Sequence, residues 1–275
     1  MEKLNFLIGS YIGTVKAMFS FRLWTPFLIF ALISLVVVLL FANPFIPVIG
    51  PLVSGLAEFI GGSEAVSHYP DLFVFLPKTY GWVTLVLSVF LEILFIGAGF
   101  LMFTAYYRNE RIGFGKAVSG ASKKYFQIVA VWLFYYVILL LLLTFLPKLF
   151  DPLIGGSPRR TMAFSVLLRL AGTFLLAMLM YVLPYLLVDG ERLLTAIGRS
   201  IKTCFKNPFS SYTLALIPYL LMLPLSIALF SPATIVRKFS PELVLYLIIV
   251  EIVVNMIASF IFVSSVLRFY WEYAE

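Results

Sequence analysis

The chain has 275 residues, of which 62% are hydrophobic and only 12% are charged. Soluble domains are about 45–50% apolar and about 25% charged, and a soluble surface needs more polar side chains than this chain supplies. The composition excludes a soluble enzyme, a disordered tail and a nucleic-acid-binding module. It predicts an all-α polytopic membrane protein. The formal net charge of +7 therefore does not indicate binding to nucleic acid and needs a different explanation.

Six apolar stretches are long enough to cross a membrane, since a helix needs about 20 mostly apolar residues to span the hydrocarbon layer. They lie at 23–42, 82–105, 128–147, 163–187, 211–231 and 243–267. Backbone groups in lipid must be bonded within the segment, so runs of this length predict helices. A β-barrel would show short alternating strands, and a run such as VILLLLLTFL does not alternate.

The distribution of lysine and arginine predicts that both termini face the cytoplasm. The loops on the side of the termini carry thirteen basic residues and the opposite loops carry six, and basic loops stay in the cytoplasm. Three of the four tryptophans, Trp24, Trp82 and Trp271, fall at the ends of predicted spans, where aromatic side chains prefer the interface. We expect no cleaved signal, because the apolar run from Leu23 is too long and no small-residue cleavage site follows.

The first outer loop, about 43–81, is long yet largely apolar up to Gly62. It predicts an interfacial or re-entrant helix near Val48–Ile60, for which an apolar lid is the simpler interpretation and a selectivity filter the alternative. The single histidine, His68, lies in the polar part of this loop and is expected to be solvated.

A threefold internal repeat is predicted, with copies at about 1–107, 108–188 and 189–275 of one membrane domain. Each copy starts with a short amphipathic helix, which we call an elbow helix. Apolar residues recur every three or four positions in each elbow helix, as on one helical face. In the third copy this face comprises Leu193, Leu194, Ile197, Ile201, Cys204 and Phe205. When the copies are superposed, Lys16, Lys123 and Lys202 coincide, and so do Phe19, Phe126 and Phe205.

Basic helices with an apolar face are suited to lie at the membrane interface, with their lysines near anionic headgroups. The residues expected to contact headgroups on the cytoplasmic face are Lys16, Lys123, Lys124, Arg199, Lys202 and Lys206. The alternatives are that the elbow helices only anchor the bundle, or that they dock a protein partner.

Three charged residues fall inside predicted spans, where charges are costly and usually face the interior of the bundle. Glu92, Arg169 and Glu251 lie at similar depths in spans 2, 4 and 6, and Asn255 follows Glu251 by one turn. They predict a converging polar site for a substrate, ion or proton. A buried structural ion pair, or side chains that reach the outer interface, are the other interpretations.

Prolines and glycines predict local features within the spans. Pro184 is expected to interrupt span 4, and Pro218 and Pro224 to interrupt span 5, because proline lacks the N–H that a helix needs. Gly97 and Gly99 in span 2 favour close helix packing.

Residues 183–209, LPYLLVDGERLLTAIGRSIKTCFKNPF, contain a proline within a span, an acidic residue and glycine at its end, and an alanine-to-serine elbow helix. The pattern rests on Pro184, Asp189, Gly190, Ala196 and Ser200, and the chain end VLRFYWEYAE adds an aromatic and charged tail. It resembles the membrane domain found in glycerophosphodiester phosphodiesterases and in uncharacterised prokaryotic six-span proteins. The family often has a tryptophan after the serine, where this chain has Ile201, and the resemblance implies no phosphodiesterase activity without the soluble catalytic barrel.

Motifs for catalysis, nucleotides and metals are absent from the sequence, and the single cysteine, Cys204, predicts no intrachain disulfide. We therefore expect a non-enzymatic protein of the cell membrane without metal or cofactor, with a structural, lipid-interacting or partner-binding role. A protein partner or a second copy of the chain is compatible with this role. The alternative is a small transporter or channel that uses Glu92, Arg169 and Glu251.

Overall fold

The computed structural model describes residues 2–43, 47, 50–62, 69–154 and 157–273. Over these residues the chain is almost entirely helical and contains no strand. The helices are α1 (Glu2–Met18), α2 (Phe21–Ala42), α3 (Gly50–Gly61), α4 (Leu72–Leu87), a π-helical segment (Ser88–Glu92), α5 (Ile93–Tyr107), α6 (Phe114–Ser122), α7 (Tyr125–Ile154), α8 (Pro158–Leu179), α9 (Val182–Leu187), α10 (Leu193–Lys206), α11 (Pro208–Ala228), α12 (Pro232–Lys238) and α13 (Glu242–Tyr273).

Six of the helical segments are long and apolar enough to cross a membrane, which confirms the predicted fold class. We number them as spans 1 to 6. They are Phe21–Ala42, Leu72–Tyr107, Tyr125–Phe150, Arg159–Leu187, Pro208–Ala228 and Glu242–Tyr273. The chain is thus an all-α polytopic membrane protein.

Span 2 is longer than the sequence predicts, because its helix begins at Leu72, ten residues before the predicted start. Trp82 therefore lies well inside the helix, and its place at the membrane interface stays a prediction. The apolar run before Lys78 continues the helix, and a single lysine is tolerated there because its long side chain can extend towards water.

The apolar first outer loop contains α3, Gly50–Gly61, close to the predicted short helix. Helix α3 buries the small apolar residues Val53 and Ala57 on one side, whereas Phe59 is 88% exposed. His68 and the polar stretch around it lie outside the described residues.

Pro184 does break span 4, as the sequence predicts. The helix stops at Leu179 and resumes at Val182, with Met180 and Tyr181 in a turn. Proline at position 184 cannot donate to the carbonyl of residue 180 and its ring crowds that carbonyl, which places the break where it is observed. In span 5, α11 continues through both Pro218 and Pro224 without a break, and the kinks that proline produces in a helix stay a prediction there.

The chain divides into two compact units, each built from segments far apart in the sequence. Unit 1 takes in the chain up to Trp24, Ile93–Tyr219 and the chain from Ile261. Its helix α5 packs against α6, α7 and α9, α7 packs against α8, and α10 packs against α8 and α9. Large aromatic side chains fill this core, including Tyr181, Tyr270, Phe103 and Phe269.

Hydrogen bonds between side chains join the helices of unit 1. The Ser264 hydroxyl lies 2.9 Å from that of Thr14 and 2.7 Å from that of Tyr107, which connects α13 to α1 and α5. The hydroxyls of Tyr181 and Ser211 are 3.0 Å apart. Buried polar groups need such partners, so these bonds specify which helix faces meet.

Unit 2 comprises Thr25–Glu92 and Leu220–Phe260. In it α4 packs against α3 and α12, around a core of aliphatic and aromatic side chains. The most deeply buried members of that core are Val38, Leu76, Val244 and Ile248. The predicted threefold repeat stays a prediction, although a short helix does precede each of spans 1, 3 and 5.

Gly97 in α5 provides a test of the packing in unit 1. A Cβ atom there would lie 3.2 Å from Cβ of Ala121 and 3.4 Å from Leu187, so the larger Gly97→Val side chain has no room. We expect Gly97→Val to lower the free energy of unfolding by about 1–3 kcal/mol, as overpacking does. Thermal unfolding of the purified protein in detergent micelles measures this.

Gly198→Val is the matched control, because a Cβ atom at Gly198 has no neighbour within 4 Å. Its midpoint should stay close to that of the wild type. Equal midpoints for both variants would contradict the close packing at Gly97.

Candidate functional site

The elbow helices α6 and α10 bury small residues, and α1 buries small residues together with Leu7. In α10 the buried residues are Ala196, Ser200, Thr203 and Cys204, and Leu194 is 82% exposed. Only part of the apolar face predicted from the sequence therefore packs against the protein. Small side chains let the elbow helix lie close to its neighbours, and the large apolar ones point away from them.

The three phenylalanines that superpose in the predicted repeat share the same environment. Phe19 is 87% exposed, Phe126 is 85% exposed and Phe205 is 60% exposed. Lys16, Lys123 and Lys202, three residues before each of them, are exposed as well. Water strongly disfavours an exposed phenylalanine, whereas a membrane interface accepts a large apolar group beside a lysine.

Helix α1 extends this apolar surface. Ile8, Ile12 and Val15 are each about half exposed and lie on one face of the helix, and the exposed Phe19 follows just after its end. The opposite face is buried and consists of Leu7, Ser10, Thr14 and Ala17. Helix α1 thus has one buried side and one apolar side that is about half exposed.

Lys124 and Arg199, which are expected at headgroups, contact other parts of the protein. The ammonium group of Lys124 donates to the carbonyl oxygens of Gly190 and Glu191, at 3.5 and 3.4 Å. Arg199 forms an ion pair with Glu191, and its guanidinium lies 5.9 Å from the centre of the Tyr185 ring. These contacts hold the turn after span 4 against the elbow helix. The geometry therefore supports a structural role for Lys124 and Arg199 rather than contact with headgroups.

The same turn meets the end of the chain. The Tyr270 hydroxyl donates to the Asp189 carboxylate, and the Tyr270 ring packs edge-on against Tyr185 at 4.9 Å. Gly190 has a φ of 72°, which glycine adopts without strain. The two stretches that carry the family resemblance therefore contact each other.

A second group of polar side chains lies within the spans of unit 2. Span 2 has a polar residue every four positions from residue 80 to residue 92, and span 6 has one every four positions from residue 251 to residue 259. Side chains spaced by four share one face of a helix. We call the two rows the polar ladders; their members are Tyr80, Thr84, Ser88 and Glu92, and Glu251, Asn255 and Ser259.

Glu92 and Asn255 join the ladders directly. The Asn255 amide donates to the Glu92 carboxylate at 3.2 Å, and the Glu92 carboxyl also interacts with the hydroxyls of Ser88 and Ser259. Glu92 closes a π-helical segment, Ser88–Glu92. Such segments within α-helices occur frequently at functional sites because they reorient a side chain.

Glu251 belongs to the same surroundings through Tyr80. The Tyr80 hydroxyl interacts electrostatically with both Glu251 and Glu92, and it lies near the hydroxyls of Thr84 and Ser34. The last two are buried and do not reach hydrogen-bond geometry with any described residue. Such groups are unusual in a protein interior and mark a place where a polar ligand would be stabilised.

Arg169 belongs to unit 1, where its guanidinium interacts with the hydroxyl of Tyr219. The predicted convergence of Arg169 with the two glutamates stays a prediction. Among the predicted polar residues, the structure joins Glu92 with Asn255 and relates Glu251 to them through Tyr80.

The sequence interpretation missed the hydroxyl members of the polar ladders. Charged residues stand out in an apolar span, whereas serine, threonine and tyrosine are common there and attract no notice. The four-residue spacing from Tyr80 to Glu92 is the signal that would have revealed them, since it repeats the spacing from Glu251 to Ser259.

Cys204 is buried in α10, and burial raises the pKa of its thiol. The cysteine therefore stays protonated, and since only the thiolate is a good nucleophile, it is a poor site for acylation.

Over the described residues, no group of three histidine, cysteine, aspartate or glutamate side chains could hold a metal ion.

No protein family, curated protein or solved structure matches the chain. The fold and the composition therefore define the class, an integral membrane protein with six apolar helices.

The bond between Asn255 and Glu92 can be tested by removing the amide. We expect Asn255→Ala to lower the free energy of unfolding by roughly 0.6–2 kcal/mol. Hydrogen bonds between membrane helices contribute about 0.6 kcal/mol on average, and leaving the buried Glu92 carboxylate without this donor adds to the cost. Unfolding in mixed micelles measures the difference.

Val253→Ala serves as the control, since Val253 lies on the same helix but is 46% exposed. It should change the free energy of unfolding by less than about 0.5 kcal/mol. A neutral Asn255→Ala would show that the amide does not stabilise the glutamate.

Proposed function

We propose that this is a non-enzymatic, multi-pass protein of the cell membrane whose elbow helices lie in the cytoplasmic interface and bind its anionic lipids. The single observation that carries the proposal is the exposure of Phe19, Phe126 and Phe205, each three residues after an exposed lysine. An aromatic side chain beside a cation matches the boundary between acyl chains and phosphate groups.

The charge distribution supports the orientation. Both termini are proposed to face the cytoplasm, because the loops beside them carry most of the lysine and arginine. Anionic lipids attract such residues by about 1 kcal/mol each, so the positive charge of the chain has a partner in the membrane itself. The proposal does not need a nucleic acid or a cofactor.

Membership of the six-span family named above, without its catalytic domain, is part of the proposal. The contact between Asp189 and Tyr270 supports it, since it joins the two stretches on which the resemblance rests. A protein partner or a second copy of the chain at the elbow helices is the competing interpretation, and the experiment below separates it from lipid.

Environment-sensitive probes at the elbows test the proposal. Phe19→Cys, Phe126→Cys and Phe205→Cys, each in a Cys204→Ala background, are labelled with a nitrobenzoxadiazole fluorophore and reconstituted into vesicles. We expect blue-shifted emission that is quenched by lipids spin-labelled near the headgroup, because all three positions are proposed to lie at that depth. Emission typical of water would contradict the proposal and favour protein docking.

Phe239→Cys is the control for sidedness, because Phe239 is 70% exposed and lies in a loop proposed to face outward. In intact cells a membrane-impermeant maleimide should label position 239, and it should label position 19 only after permeabilisation. Labelling of position 19 in intact cells would reverse the proposed topology.

Transport of a proton or small cation is the second candidate, and the polar ladders of unit 2 favour it. Two carboxylates, an amide and several hydroxyls lie within the spans, where polar residues commonly mark ion and proton pathways. The hydroxyls of Ser34 and Thr84 would complete their hydrogen bonds to a bound ion or water.

Flux into vesicles tests the second candidate. If the ladders conduct protons, vesicles with the wild-type protein and an internal pH dye should acidify under an imposed potential, and Glu92→Gln or Glu251→Gln should lower the rate at least tenfold by removing a titratable group. Glu242→Gln should conserve the rate, since Glu242 begins the same helix but pairs with Ser240 outside the ladders. Flux equal to that of empty vesicles would eliminate this function.

A further inference from the structure

Arg169 places a positive charge within span 4. Among the described residues of unit 1, no carboxylate lies within ion-pair distance of its guanidinium. The guanidinium interacts instead with the hydroxyl of Tyr219 in span 5, which carries no charge. Because a charge in the hydrocarbon layer is costly unless an opposite charge balances it, a neutral hydroxyl is an incomplete partner for Arg169.

The Tyr219 hydroxyl itself lacks a hydrogen bond. Its oxygen is buried and reaches hydrogen-bond geometry with no described residue, although the Arg169 guanidinium is close enough to interact with it electrostatically. Buried polar groups nearly always have a partner, and a phenol O–H can donate as well as accept. The hydroxyl therefore has a proton to donate next to an unbalanced positive charge.

The two helices that carry this pair are held together by neighbouring contacts. The Tyr212 hydroxyl donates to the carbonyl oxygen of Leu170 at 3.3 Å, and the ring centres of Phe174 and Tyr212 are 6.3 Å apart. Tyr219 follows Tyr212 by seven residues, a spacing that keeps both on one face of α11. This face of α11 therefore lies against α8, and the packing of the two helices fixes the place where the guanidinium and the hydroxyl meet.

Both members of the pair lie deep within their spans. Arg169 follows the start of span 4 at Arg159 by ten residues, and Tyr219 precedes the end of span 5 at Ala228 by nine. With a rise of about 1.5 Å per residue, each is roughly 14–15 Å from that end, and the whole hydrocarbon layer is about 30 Å thick. Lipid phosphate groups stay at the surface of that layer, so they cannot supply the missing negative charge at this depth.

We infer that Arg169 and Tyr219 form a binding site for a small monovalent anion such as chloride. The anion would accept hydrogen bonds from the guanidinium and from the Tyr219 O–H, and its charge would balance that of Arg169. The inference goes beyond the proposed function. It concerns unit 1 rather than the polar ladders of unit 2, and an ion of the opposite sign from the one considered there.

Thermal unfolding of the purified full chain in detergent tests the site, with sodium chloride compared with sodium gluconate at equal ionic strength. We expect chloride at about five times its dissociation constant to raise the midpoint by roughly 2–4 °C, because a ligand that binds only the folded state stabilises it. Arg169→Gln should unfold at the same temperature in the two salts. Equal midpoints of the wild-type protein in the two salts would overturn the inference.

Tyr219→Phe separates an anion ligand from a structural contact, and it should fold even if Arg169→Gln does not, because the aromatic ring is kept. The hydroxyl that it removes has no hydrogen bond to a described residue, so the midpoint in gluconate should stay equal or rise. The additional stability in chloride should shrink. A midpoint that falls by the same amount in both salts would show that the hydroxyl only supports Arg169, and would overturn its role as an anion ligand.

Equilibrium binding of radioactive chloride measures the affinity directly. We expect saturable binding by the wild-type protein, binding on the order of tenfold weaker by Tyr219→Phe, and none detectable by Arg169→Gln. Arg159→Gln is the matched control, since Arg159 is exposed near the start of the same helix and should leave the affinity unchanged. If Arg159→Gln weakens binding as much as Arg169→Gln, general positive charge explains the binding and the defined site is wrong.

Pairing of Arg169 with a glutamate of the polar ladders, the convergence that the sequence predicts, would give a different result. Arg169→Gln would then lower the midpoint equally in chloride and in gluconate, because the lost partner would be part of the protein. Glu92→Gln or Glu251→Gln would have the same effect in both salts. This outcome would overturn the anion site in favour of a structural ion pair.

Discussion

Every backbone N–H and carbonyl in the hydrocarbon layer must find a partner inside the protein, because lipid supplies none. The six long helices satisfy this requirement within each segment, and the exceptions have local causes. Span 4 breaks where Pro184 cannot donate, and span 2 passes through a π-helical segment that ends at Glu92. Polar side chains obey the same constraint, so Ser264 and Tyr181 pair with hydroxyls on other helices.

The cost of polar groups in lipid also separates the two proposed kinds of site. Basic residues at the elbows can reach water and headgroups, and so they need no buried partner. Glu92 cannot, and it is surrounded by an amide and two hydroxyls. The elbows therefore suit recognition of a membrane surface, while the polar ladders suit either the specification of helix packing or the passage of a small ion.

The exposure of large apolar side chains shows that the elbow helices do more than pack against the protein. A helix that served only for packing would turn its large apolar side chains inward. Helix α10 instead buries alanine, serine, threonine and cysteine and leaves Leu194 and Phe205 exposed. Lys124 and Arg199 show the opposite pattern, because their partners belong to the protein. Basic residues at the same elbow thus differ in exposure and in their protein contacts.

Apolar run length and proline chemistry determined the six spans, the break at Pro184 and the helix in the first outer loop from the sequence alone, since these are local properties of the chain. The start of the span 2 helix at Leu72 was not predicted from the sequence, because the tolerance of Lys78 in a helix depends on its surroundings. Only the tertiary structure decided which polar residues meet: it brought Asn255 to Glu92 and Arg22 to the segment after α5. These pairs are separated by 163 and 90 residues, and periodicity within one helix shows which residues share a face but not which helix that face contacts.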